Sequence, residues 1–288
     1  MKDVKVFSRA QMGRLGFTDA TLRTAIRQGR VRRLRQGWFA FDDADPTVVS
    51  AVKAGGVLGC VSALTLNSLW VPPGYSNVHV RRSKALRGAG KRAGCTTPVG
   101  RAPATLTAVD PVEYALACAA SCMTAEDWIA VCDSYLNSTG TSVDDLRFRL
   151  EPFTGYRLAG LLEKVDERSQ SGTESIMRVR LRATGFDVVV QPGIAEYEWA
   201  DMRIGRLLLE CDGRQYHETK KQYAKDRRRD RRSLKDGWMS MRFIYDDVIF
   251  GWADTLADIR GVTDDDRHRV RSVRSRRAVD RSLRRNQL

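Results

Sequence analysis

Leu22, Ala25 and Ile26 recur at helical spacing, while Thr21, Arg23, Thr24, Arg27 and Gln28 fall largely on the other face. This pattern predicts an amphipathic helix over residues 19–28, capped by Thr18 and stopped by Gly29. A shorter helix precedes it, opened by Ser8 and ended by Gly16. The period then changes from helix to strand. Val31, Leu34, Trp38, Phe39 and Phe41 are interleaved with Arg32, Arg33 and Arg35, and Gln36-Gly37 reads as the turn of a hairpin.

Two helices followed by a basic hairpin follow the logic of a winged helix. The second helix would enter a major groove, and the hairpin would touch the phosphate backbone. Arg23, Arg27, Arg32, Arg33 and Arg35 are the candidate DNA contacts. Residues 1–45 are assigned to this module.

Residues 46–150 read as a mixed α/β middle region. Ser62 opens a helix through Leu69, residues 78–82 read as a strand, and residues 81–92 form a basic, Gly-rich loop. Two helices are predicted at 110–123 and 124–137, the second with Asp127 at a capping-box position. No catalytic constellation is visible here. His79 stands alone between Val78 and Val80 and reads as structural or exposed. A connecting helix is expected within 151–170.

The pattern becomes informative again after Gly172. Ile176, Val179 and Leu181 predict a helix over 173–184. Strands follow at 187–191, 196–203 and 206–211, then a basic helix over 220–236 with Thr219 and Gln222 as its capping box. A strand at 238–245 and a helix over 246–259 complete the series. Leu207, Leu208 and Leu209 mark a buried central strand that Glu210 ends. A carboxylate there is costly unless a cation, or an arginine from the neighbouring helix, compensates it. With Ile204-Gly205 as a two-residue turn, Asp201 pairs with Leu208. Side-chain alternation then sets Asp201, Glu210 and Asp212 on one face. Diagonal neighbours stand roughly 7–8 Å apart, within reach of one shared ion. A one-residue slip would separate them.

Charge sharpens this picture. The net charge is +14, with a pI near 9.9, which favours polyanionic partners. Nine Arg and one Asp between 267 and 285 predict a basic, solvated tail over 263–288 that adds a sequence-independent electrostatic term to DNA binding. Carboxylates close in sequence to the basic helix expected at 220–236 make sense if Mg²⁺, or Mn²⁺ in its place, bridges them to a phosphate. The six cysteines form no C-x-x-C pair and there are three His, so ligands for a zinc site are lacking at sensible spacing. Cys118 and Cys122 read as small buried residues. Neither an apolar signal core nor an 18-residue apolar stretch occurs, which predicts a cytoplasmic protein without a membrane partner.

The ordered series Asp201, Glu210-Cys211-Asp212-Gly213, His217, Asp226-Arg227-Arg228-Arg229-Asp230-Arg231, Leu234, Gly237-Trp238 and Arg242-Phe243 resembles an uncharacterised nuclease-like family related to very-short-patch-repair endonucleases. These belong to the PD-(D/E)XK, or restriction-endonuclease-like, superfamily. The resemblance spans about residues 170–260 and implies an α/β nuclease core, here placed at 171–262, with Mg²⁺-dependent phosphodiesterase activity. It makes Asp201 the first metal carboxylate and Glu210 the second, with the backbone carbonyl of Cys211 as a further ligand. Glu174 matches the supporting acid of the preceding helix.

Asp212 occupies the superfamily's lysine position and cannot place positive charge beside an attacking water, a task left to His217 or Lys220. Lys220, Arg227, Arg228, Arg231 and Arg232 are the candidate phosphate clamps. The segments Leu15-Gly16-Phe17-Thr18, Leu22-Arg23, 29–37 and Val61-Ser62-Ala63-Leu64 resemble the winged-helix start of AbiEi-type antitoxins. That resemblance covers about residues 5–150. The expected function is therefore a DNA endonuclease targeted by a winged helix. The alternatives are a non-catalytic DNA-binding regulator or antitoxin, and an RNase. DNA is the expected partner, with a second copy of the chain and a toxin or defence protein as further candidates.

Overall fold

A computed structural model describes residues 3–82, 95, 98–100, 102–195, 198–212 and 236–264, with backbone only at 195 and 198. The basic helix expected at 220–236, apart from Asp236, and the tail after Asp264 lie outside these residues. So do His217, Lys220, Arg227, Arg228, Arg231 and Arg232. The chain is mixed α/β with small sheets and divides into two units, Met1–Glu163 and Lys164–Leu288. No helix among the described residues is long and apolar enough to cross a membrane.

The first unit opens with strand β1 (Val6–Ser8), helices α1 (Arg9–Arg14) and α2 (Asp19–Arg27), and the hairpin β2 (Val31–Arg35) and β3 (Trp38–Phe41). The caps fall where the sequence puts them. Ser8 accepts from the Gln11 amide and Gln11 returns the bond, closing a capping box. Thr18 accepts from the Thr21 amide. Gly29 takes a φ of 74°, the left-handed conformation that ends α2. The three strands form one antiparallel sheet in the order β1-β3-β2, with an irregularity between Arg33 and Arg35. Met12, Leu22, Ala25, Val31 and Phe39 make its core, flanked by Phe7, Phe17, Ile26 and Phe41. The Arg9 amide donates to the Gly37 carbonyl at 2.8 Å, tying the hairpin turn to the start of α1.

The rest of this unit contains α3 (Pro46–Lys53), the antiparallel pair β4 (Gly56–Leu58) and β5 (Val80–Arg82), and α4 (Cys60–Leu66). It continues with α5 (Val112–Ala119), α6 (Ala125–Thr139), α7 (Val143–Leu150) and α8 (Tyr156–Leu162). Helix α4 starts at Cys60, two residues before the predicted Ser62, because Gly59 takes the cap position. The predicted linker helix at 151–170 is reduced to α8, which belongs to this unit. Beneath the small sheet Arg81 and Asp110 form a buried ion pair. Arg81 Nε donates to both Asp110 oxygens at 2.8 Å, and its guanidinium lies 5.1 Å above the Tyr114 ring.

The second unit begins with α9 (Gly172–Ala183), capped by Ser171. Its main sheet runs β11-β10-β9-β6, from Met239–Ile244, Leu207–Asp212, Met202–Ile204 and Val188–Val190. β10 is parallel to β11 and antiparallel to β9. β7 (Gly193–Ala195) and β8 (Glu198–Trp199) pair separately, so the strand expected over 196–203 is broken between Trp199 and Met202. The predicted C-terminal helix is likewise two, α10 (Tyr245–Ile249) and α11 (Trp252–Thr263), divided at Phe250-Gly251.

The leucine run behaves as its composition predicts: Leu207, Leu208 and Leu209 are all buried in an interior strand of the sheet. The arginines of α9 serve packing. Arg178 Nη1 donates to the Lys164 carbonyl at 2.8 Å, Arg180 Nη1 to Val248 at 2.6 Å, and Arg182 Nη2 to Val188 at 3.0 Å.

Candidate metal and nucleic-acid site

Strand β10 loses its apolar character at Glu210, and there the candidate site begins. The β9–β10 register pairs Leu207 with Ile204, Leu208 with Arg203 and Leu209 with Met202. The turn is therefore Gly205-Arg206, not Ile204-Gly205, and Gly205 takes a φ of 57° to make it. Extending the register by one residue sets Asp201 opposite Glu210 rather than Leu208. The correction is a shift of two residues, which leaves the facing unchanged: Leu208, Glu210 and Asp212 alternate onto the side shared with Arg203 and Asp201.

Asp201 is fixed by its neighbour strand. Its Oδ2 accepts from the Cys211 amide at 2.8 Å, and its own carbonyl accepts from the Gln191 amide at 2.9 Å. Gln191 has a φ of 48°, uncommon for a residue with a side chain. Its side chain reaches Glu174, donating from Nε2 to Oε2 at 3.3 Å. Glu174 is 5% exposed, on the first turn of α9, and also accepts from the Gln170 amide at 3.0 Å. Glu174 is thus linked through Gln191 to the strand end that carries Asp201.

Glu210 is 8% exposed and paired with Arg242, whose Nε lies 3.3 Å from Oε2. The compensating arginine comes from the adjoining strand β11, where Arg242 stands in register with Glu210. The opposite face of β10 packs on α9, with Cys211 Sγ 3.3 Å from Met177 Sδ. Burial pushes the Cys211 thiol well up, and the charges of Asp201, Glu174, Asp212 and Glu210 push it further. Among the described residues, no three of these carboxylates bring their oxygens within 4.8 Å of one another, and Glu174 reaches Asp201 by way of Gln191. His217 lies outside the described residues.

The side chains here offer carboxylate oxygens, the donor type that hard cations such as Mg²⁺ take. The structure adds a residue that sequence patterning missed. Arg203 is 4% exposed on the Asp201–Glu210 side of β9. Its Nη1 donates to the Gly205 carbonyl at 3.0 Å, while Nε and Nη2 make no hydrogen bond among the described residues. The only hint in the sequence is an arginine at an inward position of a strand.

In the first unit Arg23, Arg27, Arg32 and Arg33 are exposed on α2 and β2. Arg35 is turned inward instead. It donates from Nη2 to the Gly56 carbonyl at 3.2 Å and lies 5.3 Å over the Trp38 ring, and burial lowers its pKa. The irregularity at Leu34 breaks the alternation that would have aligned it with Arg33.

The same unit brings together metal-capable side chains that sequence spacing keeps apart. Among the described residues, the one group of three or more metal-capable side chains with ligand atoms all within 4.8 Å of one another is Cys60, His79, Cys95 and Cys122. His79 is not isolated. Its Nδ1 is 3.3 Å from Cys95 Sγ, and hydrogen bonding to Cys122 and Cys95 raises its pKa to about 9. Sequence spacing hid the group because its members come from four separate segments.

Comparison with protein-family models, with curated proteins and with solved structures returns no match.

Proposed function

We propose that the protein is a metal-dependent DNA endonuclease, with a winged-helix module at its start and a restriction-endonuclease-like core in its second unit. The observation that carries this reading is the β9–β10 hairpin. Its register, continued one residue past the Leu209–Met202 pair, sets Asp201 opposite Glu210 where a buried strand gives out, and Asp201 accepts from the Cys211 amide. Mg²⁺ is held by one or two carboxylates and keeps several waters. Asp201, Glu210 and the Cys211 carbonyl would be its protein ligands, with Asp212 and Glu174 in support. Bound there, the ion would polarise the scissile phosphate and lower the pKa of a water.

The chain's own residues do the remaining work. Gln191 and Glu174 hold the backbone that carries Asp201. His217 is the candidate proton carrier to or from the attacking water and leaving group. Lys220, Arg227, Arg228, Arg231 and Arg232, which follow it in the sequence, are the candidate phosphate clamps. Supercoiled plasmid incubated with the protein and Mg²⁺ or Mn²⁺ is expected to become nicked or linear, and chelation is expected to stop it. Intact plasmid in both metals would overturn the enzyme reading.

A second reading is a DNA-binding regulator with a degenerate core. The Arg242–Glu210 pair favours it, because an arginine already compensates the buried carboxylate. DNA binding without cleavage in the same assay would decide for it.

Both readings place duplex DNA on α2 and β2. In the full chain, replacing Arg23, Arg27, Arg32 and Arg33 together with alanine is expected to flatten the plot of log K against log salt. The expected change is about 0.9 for each phosphate that these arginines neutralise. Arg35→Ala is expected to leave the slope unchanged, since its guanidinium is engaged with Gly56 and Trp38. A filter-binding salt series measures both, and an unaltered slope in the fourfold variant would remove α2 and β2 from the interface.

A further inference from the structure

We propose that Cys60, His79, Cys95 and Cys122 bind a structural zinc ion in the first unit, independently of the nuclease reading. Zinc in a closed site takes four ligands, and Cys₃His is one of its regular sets. Zn–S and Zn–N bonds of about 2.3 and 2.0 Å in a tetrahedron put the ligand atoms roughly 3.5–3.8 Å apart. All four atoms here lie within 4.8 Å of one another, and His79 Nδ1 and Cys95 Sγ are already at 3.3 Å. Only small side-chain adjustments separate this arrangement from coordination.

The ligands are carried by segments that the backbone holds in place. Cys60 is the first residue of α4, His79 immediately precedes β5, Cys95 lies beside β5, and Cys122 follows α5. The Gly59 amide donates to the His79 carbonyl at 3.0 Å, the Cys95 amide to Val80 at 3.4 Å, and the Cys122 amide to Ala119 at 2.9 Å. The His79 amide donates to Ser62 Oγ at 2.9 Å. Cys60 has a φ of 50°, a conformation that costs a residue with a Cβ roughly 1–3 kcal/mol.

Buried apolar packing does not account for the group. Cys60 is buried, as are Cys118 and Cys132 outside the group, but Cys95 and Cys122 are only partly buried and their sulfurs stand within 4.8 Å of a His79 ring nitrogen. The ion would also supply what this region lacks. β4 and β5 are a two-stranded sheet, an arrangement with little stability of its own, and the four ligands bind both of its strand ends to α4 and α5. Soft thiolates with one imidazole select zinc over Mg²⁺ or Ca²⁺.

The test is metal analysis of the full chain, purified without chelator from zinc-supplemented cells. One zinc per chain is expected, released on titration with a thiol-blocking mercurial and read with a chromogenic chelator. Cys95→Ser and Cys122→Ser are expected to lose it, while Cys118→Ala retains it. Replacement by Co²⁺ in the wild-type chain is expected to give the intense red-region bands of a four-coordinate thiolate site, a readout that holds even where a variant fails to fold. A zinc-free protein that yields no such bands would overturn the proposal. So would iron in the site, a disulfide among these cysteines, or full zinc content in folded Cys95→Ser protein.

Discussion

Replacing Glu210 with alanine is expected to reduce Mg²⁺-dependent plasmid cleavage by on the order of a thousandfold. A metal acting on a phosphoryl oxygen contributes several kcal/mol of transition-state stabilisation, and each 1.36 kcal/mol is a factor of about ten in rate. Asp201→Ala should match it, since the two carboxylates would share one ion. Glu210→Gln is the sharper variant. It keeps the volume and leaves a polar group beside Arg242, so loss of cleavage with unchanged DNA affinity assigns the effect to the carboxylate. Rates of plasmid conversion for the three variants check this. Undiminished cleavage in Glu210→Ala would remove the proposed site from the reaction.

The second large effect is on stability. Asp110→Ala is expected to destabilise the first unit by about 3–5 kcal/mol, the usual consequence of leaving one member of a buried pair without its partner. Arg81 is 5% exposed and Asp110 1%. Without the carboxylate, the guanidinium would keep the Pro103 carbonyl and the Tyr114 ring as its described neighbours. Gly59 belongs to the same arrangement, because a Cβ there would stand 2.6 Å from Asp110 Oδ2 and 3.3 Å from Arg81 Cβ. Urea unfolding followed by tryptophan fluorescence measures the loss in the transition of this unit. A midpoint within error of wild type would show that the pair contributes little.

Local signals were legible because their causes are local. Ser8, Thr18 and Thr124 cap helices through bonds to amides three residues away, so a short stretch of sequence contains the whole interaction. The burial of Leu207, Leu208 and Leu209 follows from composition in the same way. What depended on distant partners was not legible. The hairpin register was displaced by two residues, since Ile204-Gly205 and Gly205-Arg206 are both plausible turns and alternation does not distinguish them. The inward turn of Arg35 depends on Gly56 and Trp38. The Cys₃His group draws on segments brought together only by the β4–β5 pairing and by the helices at its ends. His217 and the basic residues after it fall outside the described residues.

The hairpin itself sets a rule for how this part of the chain can change in length. Face assignment in a strand depends on whether a displacement is odd or even. Losing or gaining two residues between Met202 and Leu209 would keep Asp201 and Glu210 on a common side, one rung nearer or further along the ladder. A single-residue insertion or deletion would send one carboxylate through the sheet to the side packed on α9. Divergent descendants of this sequence that retain the chemistry should therefore differ in this hairpin by even numbers of residues, and an odd difference should accompany loss of one of the two acids.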